Sequence, residues 1–249
     1  MILYFSGTGN SQYIAEIMNK ELKDEILNIT DEFKSIKTYQ SNKPYIFVLP
    51  TYCYRIPRII EEFIKQREFK GNKQVYIILT CGYSIGNAYK YAKKLIEDKN
   101  MIFKGLISII MPENYIALFQ TPSHDEALDI VQKGKEKALT IIDYIKKEQD
   151  LPVIKDNVIG EILSGIGNEF FYKVIVNDKG FTVNDSCIHC LKCVELCPLD
   201  NIKYINKELV FQNHCTHCMS CINSCPKEAI VYKNRTQNKN HYHLKKIIK

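Results

Sequence analysis

Eight of the ten cysteines lie in two copies of one short pattern near the C-terminal end of the chain. The copies span Cys187–Pro198 and Cys215–Pro226, and each reads C-x2-C-x2-C-x3-C-P. They are 28 residues apart, and the similarity extends beyond the cysteines, since Tyr204 in the first half corresponds to Tyr232 in the second. A repeat at a fixed offset indicates an internal duplication, in which each half contributes a short strand before its cysteines and one after them. This part of the chain must therefore fold around its cysteines.

Three cysteines at intervals of three residues, followed by Cys-Pro, form the run with which bacterial ferredoxins bind [4Fe–4S] clusters. The two copies resemble that run, and the resemblance implies two [4Fe–4S] clusters. In two-cluster ferredoxins the fourth cysteine of each run binds the cluster of the other run. The expected ligands are Cys187, Cys190, Cys193 and Cys225 for one cluster, and Cys215, Cys218, Cys221 and Cys197 for the other.

Zinc sites and disulfides are the alternatives for a cysteine-rich segment. Zinc sites place pairs of cysteines on either side of a longer spacer, whereas each copy here is a triplet followed by Cys-Pro. Disulfides are typical of secreted chains. The spacing therefore favours clusters. The two remaining cysteines, Cys53 and Cys81, are interpreted as small buried thiols rather than redox catalysts.

The length of 249 residues and the hydrophobic content of 45% suit one large globular domain or two smaller ones. Because the cysteines are concentrated at one end, two domains are favoured. No apolar run approaches the roughly 18 residues of a membrane span. Met1–Phe5 is too short for the apolar part of a signal peptide. We therefore expect a cytoplasmic protein in a reducing, anaerobic cell interior.

The formal net charge of +6 is a local feature. Residues 233–249 contain six Lys and Arg residues and no acidic residue, so the rest of the chain has no excess of positive charge. A nucleic-acid-binding domain spreads its basic residues over one face, and we therefore expect no nucleic-acid partner. The basic tail is expected either to be solvated and mobile, or to dock on an acidic partner or on the metal-loaded body of the protein.

An anion-binding loop is predicted near the N-terminus. Met1–Phe5 is a continuous apolar strand, and Ser6-Gly7-Thr8-Gly9-Asn10-Ser11 follows it and opens a helix. Hydroxyl groups and backbone N–H groups then converge where the helix dipole is positive, as a phosphate requires. The loop lacks the Gly-Lys-Ser/Thr of nucleoside triphosphate loops, and Gln12 stands where a dinucleotide-binding loop has its third glycine. A serine-rich capping turn is the alternative.

This loop and the strand before it resemble the FMN phosphate loop of flavodoxins. Further strands are predicted at Glu25–Ile29, Tyr45–Leu49, Val75–Thr80 and Ile102–Ile110, and helices at Ile56–Arg67, Ile85–Asp98 and His124–Lys147. Five alternations of strand and helix indicate a parallel sheet. The expected fold class is α/β, with a flavodoxin-like doubly wound five-stranded parallel sheet joined to a small α+β two-cluster ferredoxin domain.

The resemblance implies that FMN binds at the carboxyl ends of the strands, at the switch point between the first and third strands. The expected FMN-binding residues are Ser6, Gly7, Thr8, Gly9, Asn10 and Ser11 in the first loop, Pro50, Thr51 and Tyr52 in the second, and Thr80, Cys81, Gly82 and Tyr83 in the third. The chain has no tryptophan, so Tyr52 and Tyr83 are candidates for stacking on the flavin, with packing as the alternative for each. The loop Met111–Tyr115 either bounds the pocket or is a simple turn.

The predicted boundaries are an FMN-binding domain at 1–148, a connection at 149–180, a ferredoxin domain at 181–232 with a hairpin turn at Asn206-Lys207, and the basic tail at 233–249. A helix from His124 to Lys147 would carry the chain about 36 Å from the flavin end, at ~1.5 Å per residue. The connection must reverse this displacement. We expect it to place one cluster against Pro50–Ile56 or Met111–Tyr115. The residues expected to pack on the first domain are Ile159, Ile162, Leu163, Phe170 and Phe171.

The complete order resembles the flavodoxin–ferredoxin fusion proteins of anaerobic bacteria. The resemblance implies an electron-transfer flavoprotein that passes electrons between FMN, two [4Fe–4S] clusters and redox partner proteins such as ferredoxin-linked oxidoreductases. The alternative is an FMN-dependent reductase of a small organic acceptor, with Tyr83 as a proton donor. The sequence shows redox centres and no acid–base pair or nucleophile, which favours the carrier. The donor, the acceptor and the oligomeric state stay open.

Overall fold

The computed structural model describes residues 1–34, 36–153, 158–233 and 235–248. Within these ranges the chain forms a parallel-sheet domain, a helical connection, a smaller domain that carries the cysteine runs, and a C-terminal tail. None of the described helices combines the length and the apolar composition that a membrane span requires.

The strands are β1 (Ile2–Tyr4), β2 (Ile26–Asn28), β3 (Thr38–Ser41), β4 (Tyr45–Pro50), β5 (Glu68–Gly71), β6 (Gln74–Cys81), β7 (Ile102–Ile110), β8 (Phe181–Val183), β9 (Ile202–Ile205), β10 (Glu208–Phe211) and β11 (Ile230–Tyr232). The helices are α1 (Asn10–Leu22), α2 (Ile29–Glu32), α3 (Arg58–Gln66), α4 (Ala88–Glu97), α5 (His124–Lys146), α6 (Val158–Ile162), α7 (Asn168–Phe170), α8 (Lys192–Glu195) and α9 (Ser220–Ser224). Short π-helical turns follow α6 at Leu163–Gly167 and α7 at Phe171–Ile175, and a 3-10 turn covers Leu244–Lys246.

Five strands form the main sheet in the order β2-β1-β4-β6-β7, and all of its pairs are parallel. The strand order reverses at β1, which creates a switch point at the carboxyl edge between β1 and β4. This confirms the predicted flavodoxin-like doubly wound fold. The predicted second strand is shorter than expected, at Ile26–Asn28. The parallel pair β3–β5 lies outside the main sheet and has no counterpart among the predicted strands.

Successive residues of β1 enter two separate cores on opposite faces of the sheet. Leu3 packs in a core to which α3 contributes Ile60. Ile2 packs in the other core, with Ile14 of α1 and Ile141 of α5. Because helices cover both faces, the central strands are continuous apolar runs rather than alternating ones.

The cysteine-bearing domain has the two-fold arrangement that its duplication predicts. Strand β8, before the first cysteines, pairs antiparallel with β11, after the second cysteines. Strand β9, after the first cysteines, pairs antiparallel with β10, before the second. Asn206 and Lys207 both have positive φ, at 51° and 69°, so the predicted hairpin turn is of type I′. This crossed pairing brings the end of each cysteine run beside the other run.

The connection returns along the first domain as expected, but mostly through other residues. Ile159, Ile162 and Phe170, which were expected to pack, are 71%, 57% and 58% exposed. Leu163 is half-buried, and Phe171 is the buried apolar residue of the expected set. The prediction of an apolar seam is therefore wrong in its main part.

Two buried polar side chains hold the connection instead. Ser164 Oγ accepts from the backbone N–H of Asn87 at 2.7 Å and donates to the carbonyl of Tyr54 at 3.1 Å. Asn168 Nδ2 donates to the carbonyl of Cys53 at 2.8 Å. Cys53 and Tyr54 have positive φ, at 43° and 64°, so this loop is irregular and its buried carbonyls need donors from elsewhere. The connection supplies those donors.

The C-terminal tail is docked on the body of the protein. Tyr242 and Leu244 are 3% and 4% exposed and join the core between the sheet, α1 and α5. The interpretation of a mobile, solvated end is therefore wrong for residues 235–248, and docking on the body is confirmed. Charge does not provide the main contact, because Lys245 and Lys246 remain exposed while apolar side chains are buried.

The anchoring role of Ser164 gives a stability prediction. Ser164→Ala removes a fully buried hydroxyl and its bonds to Asn87 and Tyr54, which costs about 1–3 kcal/mol of unfolding free energy. Ile162→Ala, at an exposed position of the same connection, changes it by about 0.5 kcal/mol or less. Denaturant unfolding of both variants measures the difference. Equal losses of unfolding free energy in the two variants, or a larger loss in Ile162→Ala, would show that apolar packing holds the connection.

Candidate cofactor-binding site

Two cavities in the smaller domain are each lined by four cysteines, three from one run and the fourth from the other. The first cavity, about 360 Å³ with its open mouth, is lined by Cys187, Cys190, Cys193 and Cys225. The second, about 380 Å³, is lined by Cys197, Cys215, Cys218 and Cys221. The crossed strand pairing causes this exchange. The structure thus brings together the same two sets of side chains that the resemblance to ferredoxins implies.

These thiols fit an iron–sulfur cluster better than a single ion. Among the described residues, no three Cys, His, Asp or Glu side chains converge as one metal ion requires. Backbone N–H groups also donate to the sulfurs: Asn201 N lies 3.2 Å from Cys197 Sγ, and Ala229 N lies 3.3 Å from Cys225 Sγ. Asn201 and Ala229 are equivalent positions of the repeat, and hydrogen bonds to the ligand sulfurs are one of the means by which a protein sets the potential of a cluster.

The depth of the thiols requires a compensating positive charge. Burial raises the pKa of the Cys215 and Cys218 thiols to about 12 and that of Cys193 to about 11. Thiolates are the form that binds metal, and bound iron provides the charge that keeps them deprotonated. We therefore expect metal binding and folding of this domain to be coupled.

The two cavities differ in their surroundings. At the first, Cys190 is exposed and Ile188 is 55% exposed. At the second, the position equivalent to Ile188 is Thr216, which is buried, and its hydroxyl has no hydrogen-bond partner within the described part of the chain. Residues that line the first cavity are therefore more exposed to solvent, and the second cavity offers an unused hydrogen-bond donor.

The predicted phosphate loop connects β1 to α1. Gly9 precedes the helix with φ of 98°, and no described side chain caps the N-terminus of α1, which leaves its first-turn N–H groups to an anion. Ser6 Oγ accepts from the backbone N–H of Gly9 at 3.1 Å. The hydroxyls of Ser11 and Thr80 lie 2.8 Å apart. The loop therefore gathers three hydroxyl side chains and a helix N-terminus at the carboxyl edge of the sheet.

Thr8 and Asn10 are buried, and other residues already bind their side chains. Thr8 Oγ1 accepts from Asn114 Nδ2 at 2.6 Å. Asn10 Nδ2 donates to the carbonyl of Pro112 at 2.9 Å, and its Oδ1 accepts from Tyr242 OH at 2.7 Å. The side-chain amide of Asn10 is therefore held at both its nitrogen and its oxygen, and its backbone N–H is left for a phosphate.

The predicted stacking tyrosines lie in different environments. Tyr52 is half-buried and packs against the same core as Cys218, and burial raises its pKa. Tyr83 is 90% exposed. Gly82, next to Tyr83 in the chain, lies close to Glu113. A Cβ at residue 82 would be 2.5 Å from Glu113 Oε2. The two tyrosines therefore differ in exposure, and stacking on the flavin stays a prediction for both.

The other predicted loop residues lie where strands β4 and β6 end, and their contact with FMN stays a prediction. Pro50 and Thr80 are paired neighbours at the ends of β4 and β6, and Thr51 N donates to Thr80 O at 2.9 Å. Burial raises the pKa of the Cys81 thiol to about 12 and also raises the pKa of Cys53. Cys81 is buried, as expected, whereas Cys53 is only partly buried. At both positions burial disfavours the thiolate, which is the reactive form of cysteine.

The second cavity lies directly against these loops. A Cβ at Gly7 would overlap the carbonyl oxygen of Cys218, so only glycine permits this approach. Tyr115 OH and His217 Nδ1 are hydrogen-bonded at 2.9 Å, and His217 Nε2 is hydrogen-bonded to the backbone of Asn177. These contacts confirm that one cysteine run faces the predicted flavin loops.

No motif marks three further polar residues at this junction, Asn114, Asn223 and Tyr242. Asn223 offers the only signal in the sequence, because the equivalent position of the first run is Glu195. A departure from the repeat at a buried position indicates a contact that only one half of the duplication makes. Asn114 and Tyr242 lie in irregular segments, where periodicity carries no information.

Residues 179–226 match the family described as "4Fe-4S dicluster domain". This match covers both cysteine runs, and the first domain has the strand order of a flavodoxin. The chain therefore joins a doubly wound parallel-sheet domain to a segment that matches a 4Fe-4S dicluster domain. The matched segment excludes the connection before residue 179 and the docked tail.

Solved structures similar to this chain include a putative flavoprotein from Bacteroides eggerthii, with 19% identity, a TM-score of 0.40, and coverage of 58% of this chain and 96% of that chain. The Trp repressor binding protein from Bacillus subtilis has 16% identity, a TM-score of 0.38, and coverage of 60% and 100%. The flavodoxin from Megasphaera elsdenii has 17% identity, a TM-score of 0.33, and coverage of 56% and 99%. At these TM-scores the likeness adds nothing to the strand order. No curated protein matches this chain significantly.

The crossed cavities predict which cysteines act together. Cys197→Ala removes about half of the iron, because it opens the cavity that also contains Cys218. Adding Cys218→Ala to that variant removes no further iron, whereas adding Cys190→Ala removes the remainder. Iron analysis of anaerobically purified protein measures this pattern. Ligand sets that do not cross would give the reverse result for the two double variants.

Proposed function

We propose that this protein is an electron-transfer iron–sulfur flavoprotein that holds two [4Fe–4S] clusters in the cysteine cavities and FMN at the loops around Ser6–Ser11. The observation that supports it best is the contact between the two predicted cofactor sites. Cys218, a cluster-type cysteine, lies against Gly7 of the phosphate loop and packs in the same core as Tyr52. Two redox sites built into one junction are suited to exchange electrons.

The surroundings of the two cavities give the proposed route its order. The first cavity, with the exposed Cys190, is where a partner protein approaches. The second is lined by Cys218, whose backbone lies against Gly7 of the first domain, and it mediates between that surface and the flavin loops. In this proposal, electrons enter from partner proteins at the first cavity and reach FMN through the second.

When bound, FMN exchanges electrons singly or in pairs and each cluster exchanges one, so the protein converts between one-electron and two-electron carriers. The role of the chain is to bind and orient the cofactors. The expected partners are low-potential redox proteins that dock near Cys190.

The alternative function, reduction of a small organic acceptor, depends on a proton donor inside a closed pocket. Tyr83 was the candidate donor, and its ring is 90% exposed. Glu113 lies near Gly82, but it sits beside the loop backbone at a position where it accepts from the N–H groups of Asn114 and Tyr115. These positions favour the carrier over the reductase.

The route is tested by rapid mixing of the anaerobic, cofactor-loaded protein with a reduced ferredoxin. We expect flavin reduction in the wild type and much slower flavin reduction in Cys225→Ala, because this variant lacks one of the four cysteines of the first cavity. Dithionite, a small reductant, still reduces the flavin of that variant and shows that the flavin site is intact. If ferredoxin reduced the flavin of Cys225→Ala at the wild-type rate, electrons would not enter through the first cavity and the proposed route would be wrong.

The FMN site is tested separately at Thr8, which lies in the loop and is 1% exposed. Thr8→Asp places a carboxylate where the phosphate dianion binds, so FMN binding is lost through repulsion. Thr8→Ser keeps the hydroxyl and retains binding. Flavin fluorescence titration of the two variants gives the dissociation constants, and unchanged FMN affinity in Thr8→Asp would exclude this loop.

A further inference from the structure

The C-terminal tail contacts the phosphate loop at two points. Tyr242 OH donates to Asn10 Oδ1 at 2.7 Å, and the backbone N–H of Leu244 donates to the carbonyl of Thr8 at 2.9 Å. Gly9 lies between these points, where a Cβ would come within 2.9 Å of Leu244 Cβ. The tail therefore follows the outer side of the loop at close range.

We propose that the tail is a positioning element of the phosphate site, in which Tyr242 holds Asn10, and with it the first turn of α1, in the conformation that binds the FMN phosphate. The inference rests on the proposed function, since it names a determinant of the same site. Asn10 is the first residue of α1, so its side-chain contacts set the direction in which the first-turn N–H groups point.

Tyr242 belongs to a circuit of hydrogen bonds that surrounds the loop. Its backbone N–H donates to Asn223 Oδ1 at 3.0 Å, and Asn223 Nδ2 donates to the carbonyl of Asn114 at 3.0 Å. Asn114 Nδ2 donates to Thr8 Oγ1, and the hydroxyl of Tyr242 returns to Asn10. Thr8, Asn10, Asn223 and Tyr242 are all at least nine-tenths buried. Polar groups at this depth strengthen one another when every member is satisfied.

The direction of the bonds suits an anion. Because Thr8 Oγ1 accepts from Asn114, the hydroxyl proton of Thr8 remains available as a donor. Because the amide of Asn10 is bound at both ends, its oxygen does not compete with a phosphate for the helix N–H groups. The circuit therefore leaves the loop with donors for the phosphate.

The same circuit reaches the second cysteine cavity. Asn223 and Cys221 both lie on α9, and His241 Nδ1 binds the carbonyl of Ile222 at 2.8 Å. The tail thus joins the helix that lines this cavity to the phosphate loop. Sites joined in this way influence each other reciprocally.

The test compares FMN with riboflavin, which lacks the phosphate, as ligands of the cofactor-free flavin site in the full, cluster-loaded chain. Tyr242→Phe removes the bond to Asn10 and weakens FMN binding about three- to tenfold, with riboflavin affinity unchanged. Removal of residues 236–249 weakens FMN binding further. Tyr13→Phe on α1 is the matched control, since its hydroxyl has no hydrogen bond within the described chain, and it leaves both affinities unchanged.

The comparison separates positioning from general damage. Equal weakening of FMN and riboflavin in Tyr242→Phe, or loss of iron together with flavin, would show that Tyr242 only stabilises the fold and would overturn the inference. Wild-type FMN affinity in Tyr242→Phe would overturn it as well, while the proposed FMN site would stand. A wild-type protein that binds neither flavin would overturn both.

Discussion

The contact between Gly7 and the carbonyl of Cys218 is the constraint on which the rest of the structure depends. A side chain at Gly7 would push the two backbones apart, so the junction exists only because glycine occupies that position. The second domain therefore packs against the sheet beside its switch point. The hydrogen bond between Tyr115 and His217 adds to this contact. In an isolated flavodoxin-like domain this edge would face solvent, whereas here it faces a cysteine run.

This arrangement makes the two domains depend on each other energetically. The smaller domain has a modest core, with Phe181, Ile202 and Ile222 among its buried members. Burial raises the pKa of the Cys215 and Cys218 thiols to about 12, which favours their neutral form when no metal is bound. Metal binding therefore contributes to folding of this domain. Because Cys218 abuts Gly7, the same metal binding also orders one side of the predicted flavin site, so loss of clusters would be felt at a site that contains no cysteine ligand.

The sequence allowed the strand order, the hairpin turn and the position of one cysteine run near the flavin loops to be predicted, because apolar periodicity and repeated spacing are local signals. It did not predict how the connection is held. The loop at Cys53 and Tyr54 has positive φ and leaves its carbonyls unpaired, and this demand is met by Ser164 and Asn168 from far along the chain. Periodicity reports apolar burial and is silent about such polar partners. Docking of the tail was predicted only as an alternative that depends on charge, because lysines dominate the composition of the tail. In the structure the buried Tyr242 makes the contact.

The duplication explains why the two cysteine cavities take different roles. Two identical halves would form two equivalent sites, but only one half can face the first domain. His189 and His217 are the same residue at equivalent positions, yet His189 is exposed and His217 is 2% exposed and bound to Tyr115. Glu195 is exposed, and its equivalent, Asn223, is fully buried between the tail and Asn114. A carboxylate at that buried position would lack the amide donor that reaches Asn114 and would carry an unpaired charge. At these positions the repeats differ where the second cysteine run contacts the first domain and the tail. This contact gives two copies of one motif different surroundings.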